Sequence, residues 1–198
     1  MIDMKRLSLR LGLCSALTVA AGLCAATSAF ADTSNCAVPP LTQPFLQYGD
    51  SNWYAAAPGE SADDFAGTGW TLTGGATIWS VHLIDGATGN VLTLPAGATA
   101  ISPPMCVNST FPSARTFLRE FPGASLTVSV SYASQPGFQN VGELGGVPRW
   151  WSLSGSMDIK TSSLVGWDQG TFELANDGGS GSGPLQVYDF LVDPYNKG

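Results

Sequence analysis

The sequence predicts an all-β fold, a two-sheet antiparallel β-sandwich of the jelly-roll type, preceded by a signal-peptide helix. Turn residues recur about every ten residues after the leader, and no later segment keeps a helical period. Low charge with abundant Gly and Thr is also typical of disorder. Six tryptophans and several alternating apolar runs argue against disorder, because a disordered chain lacks apolar residues to bury.

The leader, residues 1–31, has the pattern of a secretory signal peptide. Three basic residues precede an apolar run over 11–26, and a small-x-small cleavage site ends at Ala31. We expect residues 32–198 to form one β-sandwich domain, secreted and extracellular, with no membrane contact after cleavage. The alternatives are a retained membrane anchor and a lipoprotein anchor. The apolar run is shorter than the ~20 residues of a spanning helix, and Leu precedes both leader cysteines where lipidation needs a small residue.

The charge of the mature chain limits its partners. The leader holds three of the 8 basic residues and one of the 15 acids, which leaves 5 and 14 and a net charge near −9. Nucleic acids and anionic membrane surfaces would repel such a chain. We therefore expect no nucleic-acid partner, and we expect a monomer.

Two cysteines, Cys36 and Cys106, remain after cleavage. Two cysteines in one small extracellular domain usually pair, so we expect a disulfide between the N-terminal arm and the middle of the chain. Two separate buried thiols are the alternative.

The positions of turn residues and the alternation of apolar and polar residues predict the strands and loops. Residues 36–48 carry three prolines and predict an extended arm or edge strand. Residues 125–132 have the clearest pattern, with Leu, Val, Val and Tyr on one face and Thr and Ser on the other, as in a half-buried strand. Loops are predicted at 50–69 and 133–148, and a hairpin tip at 178–183. The other predicted strands are 70–73, 76–84, 91–94, 98–102, 114–120, 150–159, 171–174 and 185–192.

No catalytic motif is evident. His82 is the only histidine and lies within a predicted strand, which favours a half-buried structural side chain over a catalytic base. No nucleophile-elbow spacing surrounds any serine, and a zinc site would lack ligands once the cysteines pair. We therefore expect a protein that is not an enzyme and needs no cofactor.

Calcium is the one metal for which the sequence offers ligands. Asp64 lies in an acidic loop, and Asp189 lies in the last strand, where period-two counting places it beside Leu185, Val187 and Leu191. A core-facing carboxylate needs a partner or a cation, and calcium takes oxygen ligands from loop carboxylates. The alternative is that Asp189 faces solvent.

The aromatic side chains are the other candidates for a binding site. For any single tryptophan, core packing is the first interpretation, and we assign Trp70 and Trp79 to the core. Adjacent Trp150 and Trp151 must point to opposite faces of a strand, so one of them is on the surface. The residues that we select as a glycan-binding set are Trp53, Tyr54, Trp151 and Trp167.

Several stretches together carry a resemblance to a known family. They are Cys36, 43–46, 48–50, 57–59, 69–76, 94–97, 102–107 and 192–195. These stretches resemble secreted bacterial proteins of unassigned function with a carbohydrate-binding-module-like (galactose-binding-like) jelly-roll fold. The resemblance supports the pairing of the two cysteines, which match in position and context. The family's Phe-Glu step and its late Asp-Asp pair are replaced here by Asp64-Phe65 and Tyr188-Asp189, which weakens an inherited calcium site.

These observations favour a secreted, non-catalytic β-sandwich that binds a neutral glycan through exposed aromatic rings. The rival interpretation is a structural or protein-interaction component of the cell surface without a sugar site. Exposed aromatic rings beside polar side chains would favour the first interpretation, and an exposed apolar patch would favour the second.

Overall fold

The structure is a computed structural model that describes Cys36 and residues 39–195. It contains 13 β-strands and a single 3₁₀ turn at Leu46–Tyr48 in that part of the chain. The strands are β1 Ala55–Ala56, β2 Thr71–Thr73, β3 Thr77–His82, β4 Thr88–Leu94, β5 Thr99–Ile101, β6 Met105–Asn108, β7 Ser113–Glu120, β8 Leu126–Tyr132, β9 Gln135–Leu144, β10 Ser152–Leu153, β11 Met157–Asp158, β12 Trp167–Asn176 and β13 Leu185–Asp193.

The strands form two antiparallel sheets, as predicted. The seven-stranded sheet has the order β10-β7-β13-β4-β3, with β1 on β13 and β11 on β7. The six-stranded sheet has the order β2-β5-β12-β8-β9, with β6 on β12. The chain passes repeatedly from one sheet to the other, which gives the β-sandwich its jelly-roll character.

The core lies between the two sheets. The alternation in β8 buries Leu126, Val128, Val130 and Tyr132 on one face, as the sequence predicts. Residues from β4, β7 and β13 of the other sheet complete the same cluster. Fully burying one such side chain contributes about 1.5–3 kcal/mol, so this interface supplies most of the stability of the sandwich.

A second apolar cluster lies outside the sandwich, on the outer face of the seven-stranded sheet. The arm that precedes β1 folds over this face, where Phe45 packs edge-on against Tyr54 and Phe117 at centroid distances of 5.0 and 5.6 Å. Tyr188 and Val91 are buried beneath it. The arm therefore covers one part of the outer face and leaves the rest open.

The predicted disulfide is confirmed. Cys36 and Cys106 are bonded, with 5.3 Å between their Cα atoms and a separation of 70 positions in sequence. Cys106 lies in β6 of the six-stranded sheet, whereas the arm covers the seven-stranded sheet. The bond therefore ties the start of the arm to the opposite sheet.

The structure corrects several sequence-based predictions. Residues 133–148 were predicted as a loop but contain β9, whose exposed edge position removes the alternation that marks a half-buried strand. The strand predicted at 150–159 is instead the two short strands β10 and β11. Trp79 was predicted in the core but is 58% exposed, because β3 is an edge strand and Ile78 supplies its inward contact.

A bulge in β13 changes the predicted face of its last residues. The pairing register with β7 shifts between Tyr188 and Leu191, and Asp189 has a left-handed φ of 50°. Leu185 and Val187 face the core as expected, but Leu191 belongs to the outer cluster. A bulge adds one unpaired residue, so period-two counting fails beyond it.

The predicted leader, residues 1–31, lies outside the described residues, and its cleavage stays a prediction. In the part of the chain that the structure describes, no helix has the length and apolar character needed to cross a membrane.

Candidate functional site

A row of polar side chains crosses the open part of the seven-stranded sheet. Arg119 of β7 is opposite Gln186 of β13, Gln186 is opposite Thr93 of β4, and Thr93 is opposite Thr77 of β3. Directly opposed residues point to the same face of a sheet. The row therefore spans four adjacent strands, about 14 Å at the usual spacing between strands.

Hydrogen bonds hold this row together. Arg119 donates from Nε to Oε1 of Gln186 at 2.8 Å, and Nη2 donates to the same oxygen. The Gln186 amide then donates from Nε2 to Oγ1 of Thr93 at 3.3 Å. All three side chains are partly exposed, so they present an ordered polar surface to solvent.

Trp79 stands beside the row on β3, two residues from Thr77. Its ring is 58% exposed, and its Nε1 donates to Oγ1 of Thr77. A groove of about 450 Å³ opens next to the ring. The residues that line it are Gly75, Thr77, Trp79, Ser80, Val81, Thr93, Pro95 and Gln186, and none of them is acidic.

Trp151 lies between the open row and the covered apolar cluster. Its ring packs edge-on against Tyr188 with centroids 4.9 Å apart, and its Nε1 donates to the carbonyl of His82 at 2.8 Å. The guanidinium carbon of Arg119 lies 4.9 Å from the centroid of the same ring. Contacts on both sides fix the indole in place, so it forms a rigid wall beside the polar row.

The structure does not bring the four sequence-predicted aromatics together. Trp151 is half-buried beside the polar row, and Trp53 is 44% exposed in the segment before β1. Trp167 is on the six-stranded sheet, where its ring packs against Tyr195 at 5.3 Å. Tyr54 is completely buried and cannot contact a surface ligand.

Tyr54 serves the fold instead. Its hydroxyl donates to Oδ2 of Asp50 at 2.7 Å, and burial together with that carboxylate raises the pKa of Tyr54 to about 12. Residues 50–54, three polar residues followed by two aromatic ones, have no pattern that predicts the inward turn of this ring beneath Phe45.

Sequence reasoning missed Trp79, Arg119 and Gln186. A signal was present, because positions 77, 79 and 81 form one face of β3 by period-two counting. That face and the opposite one both carry an apolar residue, so alternation alone could not decide which turns outward. Only the strand order shows that Arg119 and Gln186 meet.

Acidic side chains gather at the bulge of β13. Asp189 is 5% exposed, and its Oδ1 accepts a hydrogen bond from the backbone N–H of Asp63 at 2.9 Å. Burial, and next the charge of Asp63, raise the pKa of Asp189 to about 7. A cavity of about 230 Å³ adjoins this carboxyl group, and its residues are Pro44, Gln47, Tyr48, Ala62, Asp63, Ile84, Asp85, Phe117 and Asp189.

The predicted calcium ligands fit a metal only in part. Asp64 accepts a hydrogen bond at Oδ1 from the backbone N–H of Asn90 at 3.2 Å. Asp189 accepts one at Oδ1 from the backbone N–H of Asp63. No group of three or more His, Cys, Asp or Glu side chains within Cys36 and 39–195 is arranged to hold a metal ion. One carboxylate oxygen of Glu60, whose charge interacts with that of Asp189, is buried without a hydrogen-bond partner among the described residues. A calcium ion on Asp189 therefore stays a prediction.

Comparison with known proteins finds solved structures of similar fold but no protein of similar sequence. Neither a protein-family model nor a curated protein sequence matches this chain. The solved structures that resemble it include carbohydrate-binding modules with a β-sandwich fold.

Three of these structures illustrate the likeness. One holds the first family-22 carbohydrate-binding module and the catalytic module of endo-1,4-β-D-xylanase 10B from Clostridium thermocellum, complexed with xylohexaose. It has a TM-score of 0.49 and 13% identity over 72% of this chain, which spans only 28% of that protein. The third family-6 module of a Clostridium stercorarium protein, with cellobiose, has a TM-score of 0.40 and 15% identity, covering 62% of this chain and 83% of that one. The family-61 module TmCBM61, with β-1,4-galactotriose, has a TM-score of 0.41 and 13% identity, covering 66% and 90%. All three TM-scores lie below 0.5, so function has to be inferred from the groove itself.

Proposed function

We propose that this chain is a secreted, non-catalytic protein that binds a polysaccharide in the groove beside Trp79. The observation that carries this proposal is an exposed indole next to an ordered row of hydroxyl, amide and guanidinium groups. The C–H-rich face of a pyranose packs on a flat aromatic ring, and its hydroxyls exchange hydrogen bonds with the polar groups. Such a division between apolar surface and a few placed polar groups is typical of small-molecule sites.

The dimensions of the groove support this function. Its volume of about 450 Å³ lies within the usual range for ligand sites, roughly 300–1,000 Å³. The polar row lies across four strands of one sheet rather than on a loop, so its members need little ordering when a ligand binds.

Charge favours a mainly neutral polymer. The whole sequence has a net charge of −7, which repels a densely anionic chain. The groove has no acidic lining residue, so hydroxyl-rich sugars meet no repulsion there. Affinity in the millimolar to micromolar range, about −4 to −8 kcal/mol, is expected for one shallow site.

The experiment is a titration of tryptophan fluorescence and of heat against soluble neutral polysaccharides. Trp79→Ala should reduce affinity at least tenfold, because it removes the stacking surface. Trp150→Ala is the matched control, since Trp150 is 73% exposed and is not among the groove residues. Equal affinity of wild type and Trp79→Ala would contradict this site. The same polysaccharides should show no hydrolysis on long incubation.

A second candidate function rests on exposed apolar residues outside the groove. Val147 and Trp150 lie in one turn, closed by a backbone hydrogen bond of 3.1 Å, and both side chains are more than half exposed. Exposed patches of this kind mark protein contacts. If no polysaccharide binds, and Trp150→Ala abolishes attachment to the producing cell's surface, a structural role without a sugar site is the better account.

A further inference from the structure

Arg115 and Arg119 lie on the same face of β7, so their guanidinium groups can be compared directly. The guanidinium group of Arg115 has hydrogen-bond acceptors on two sides. Its Nε and Nη2 donate to the carbonyl of Ser154 at 3.0 and 2.7 Å, and its Nη1 donates to Oδ2 of Asp50 at 2.6 Å. A carbonyl thus occupies one edge of this guanidinium and a carboxylate binds at the adjoining nitrogen.

Arg119 also has a hydrogen-bond acceptor at the edge formed by Nε and Nη2, but within the described part of the chain it has no carboxylate at Nη1. Its Nε and Nη2 both donate to Oε1 of the Gln186 side-chain amide. Among Cys36 and residues 39–195, no hydrogen bond from Nη1 of Arg119 is formed, and the one ion pair is that of Arg115 with Asp50. The edge formed by Nη1 and the second Nη2 proton therefore remains open for a bidentate acceptor.

Two aromatic rings fix the plane of this guanidinium. Its central carbon lies 4.9 Å from the centroid of Trp151 and 5.6 Å from that of Phe121. Burial lowers the pKa of Arg119, although the group stays charged, and no acidic side chain forms an ion pair with it among the residues that the structure describes. A desolvated, oriented and uncompensated guanidinium binds an anion more strongly than a solvated surface arginine does.

We propose that Arg119 binds the carboxylate of a uronic acid unit carried by the polysaccharide that lies against Trp79. This inference rests on the proposed function and names the chemical class of its ligand. One guanidinium group binds one carboxylate, and the net negative charge of the chain repels further carboxylates. The ligand is therefore a largely neutral chain with sparse uronic acid substituents, which modifies the neutral glycan expected from composition alone.

The test uses two polymers that differ only in charge: glucuronoxylan, and the same polymer after its carboxyl groups have been reduced to primary alcohols. Calorimetry at low ionic strength should show at least fivefold tighter binding of the intact polymer by the wild type. The preference should decrease as salt is added. Free glucuronate should compete at high concentration, and acetate should compete less well because it lacks the sugar ring.

Variants of Arg119 distinguish the contribution of the planar guanidinium geometry from that of positive charge alone. Arg119→Gln should bind both polymers with the affinity that the wild type has for the reduced one. Arg119→Lys keeps a charge but loses the planar fork, and it should lose most of the preference. The matched control is Lys160→Gln, which removes one positive charge from an exposed side chain that packs against Phe111 and should keep the preference.

Gln186→Glu provides a second test that leaves packing nearly unchanged. The new carboxylate would neutralise Arg119 from the edge that Gln186 now occupies, and the preference should disappear. Equal binding of both polymers by the wild type would overturn this inference and leave the proposed function intact. A preference preserved in Arg119→Gln, or lost equally in Lys160→Gln, would also overturn it. If wild type binds neither these polymers nor any neutral one, the proposed function itself fails.

Discussion

Glu60 accepts a hydrogen bond at Oε2 from the backbone N–H of Phe190 at 2.9 Å, while its Oε1 is buried without a hydrogen-bond partner among the described residues. Burial, above all, and the nearby charge of Asp189 raise the pKa of Glu60 well above its ordinary value. Two carboxyl groups with raised pKa values therefore flank the bulge of β13. Protonation of either carboxyl group stabilises the folded state relative to the unfolded state.

The first prediction is that the fold becomes more stable as the pH falls from 8 to 5. The pKa of Asp189 is about 7 in the folded chain against an ordinary 3.8, so the folded state holds a proton that the unfolded state releases. The stability from this proton is complete below about pH 4 and is lost as the pH rises through 7. The expected change is on the order of 2–4 kcal/mol.

Urea unfolding of chelator-treated protein at several pH values measures this change. Asp189→Asn should weaken the dependence, because the amide does not titrate while its oxygen can still accept from the N–H of Asp63. Asn also tolerates the left-handed φ of 50° at this position. A wild-type stability that is flat or rising over this range would contradict the prediction.

The second prediction concerns Glu60→Gln. The neutral amide keeps an oxygen for the N–H of Phe190 and cannot ionise, which removes the cost of burying or protonating a carboxylate near Asp189. The free energy of unfolding at pH 8 should therefore increase by about 1–3 kcal/mol. Glu143→Gln is the control, since that side chain is exposed and should change stability by less than about 0.5 kcal/mol. A large loss of stability in Glu60→Gln would show that this carboxylate has a charged partner.

The third prediction is that calcium binds at Asp189. A cation that binds the folded state alone raises the melting temperature by mass action. Adding calcium to chelator-treated protein at pH 8 should therefore raise the melting temperature in the wild type and much less in Asp189→Asn. Asp64→Asn tests the second predicted ligand, whose Oδ1 already accepts from Asn90. Identical melting curves with calcium and with chelator, and no metal in the purified protein, would remove the site.

The fourth prediction concerns the disulfide. Closing a loop of 70 residues contributes about 4 kcal/mol when its effect on the unfolded chain is counted alone, so reduction should lower the midpoint of urea unfolding markedly. Intact mass should rise by two hydrogens on reduction. Replacing both cysteines by serine should reproduce the loss. Free alkylation of both thiols in the unreduced, folded protein would contradict the pairing.

Sequence patterns predicted the parts of this fold that depend on one strand at a time. The alternation in β8 was sufficient because that strand has one buried and one partly exposed face. The pairing of Cys36 with Cys106 was predictable because only two cysteines follow the leader. Edge strands were less predictable: β3 was predicted as a strand with the wrong side chain buried, and β9 was missed because exposure on both faces weakens the alternation.

The candidate site could not be predicted in the same way, because it depends on which strands are neighbours. Arg119, Gln186 and Thr93 are far apart in sequence and meet only through the order β7-β13-β4. The bulge at Asp189 is a second example, since one left-handed residue reverses the faces of all that follow it in β13. Strand order and bulges are properties of the assembled sheet, which single-strand patterns do not contain.

The bond between Cys36 and Cys106 closes a covalent ring that includes the arm, β1 to β5 and the acidic loop. An external protease that cut once anywhere in this ring would leave both new ends attached to the same molecule. Trp79, Thr77 and Thr93 all belong to the ring, whereas Arg119 and Gln186 lie outside it. A nicked molecule would therefore keep the two halves of its groove on one covalent assembly.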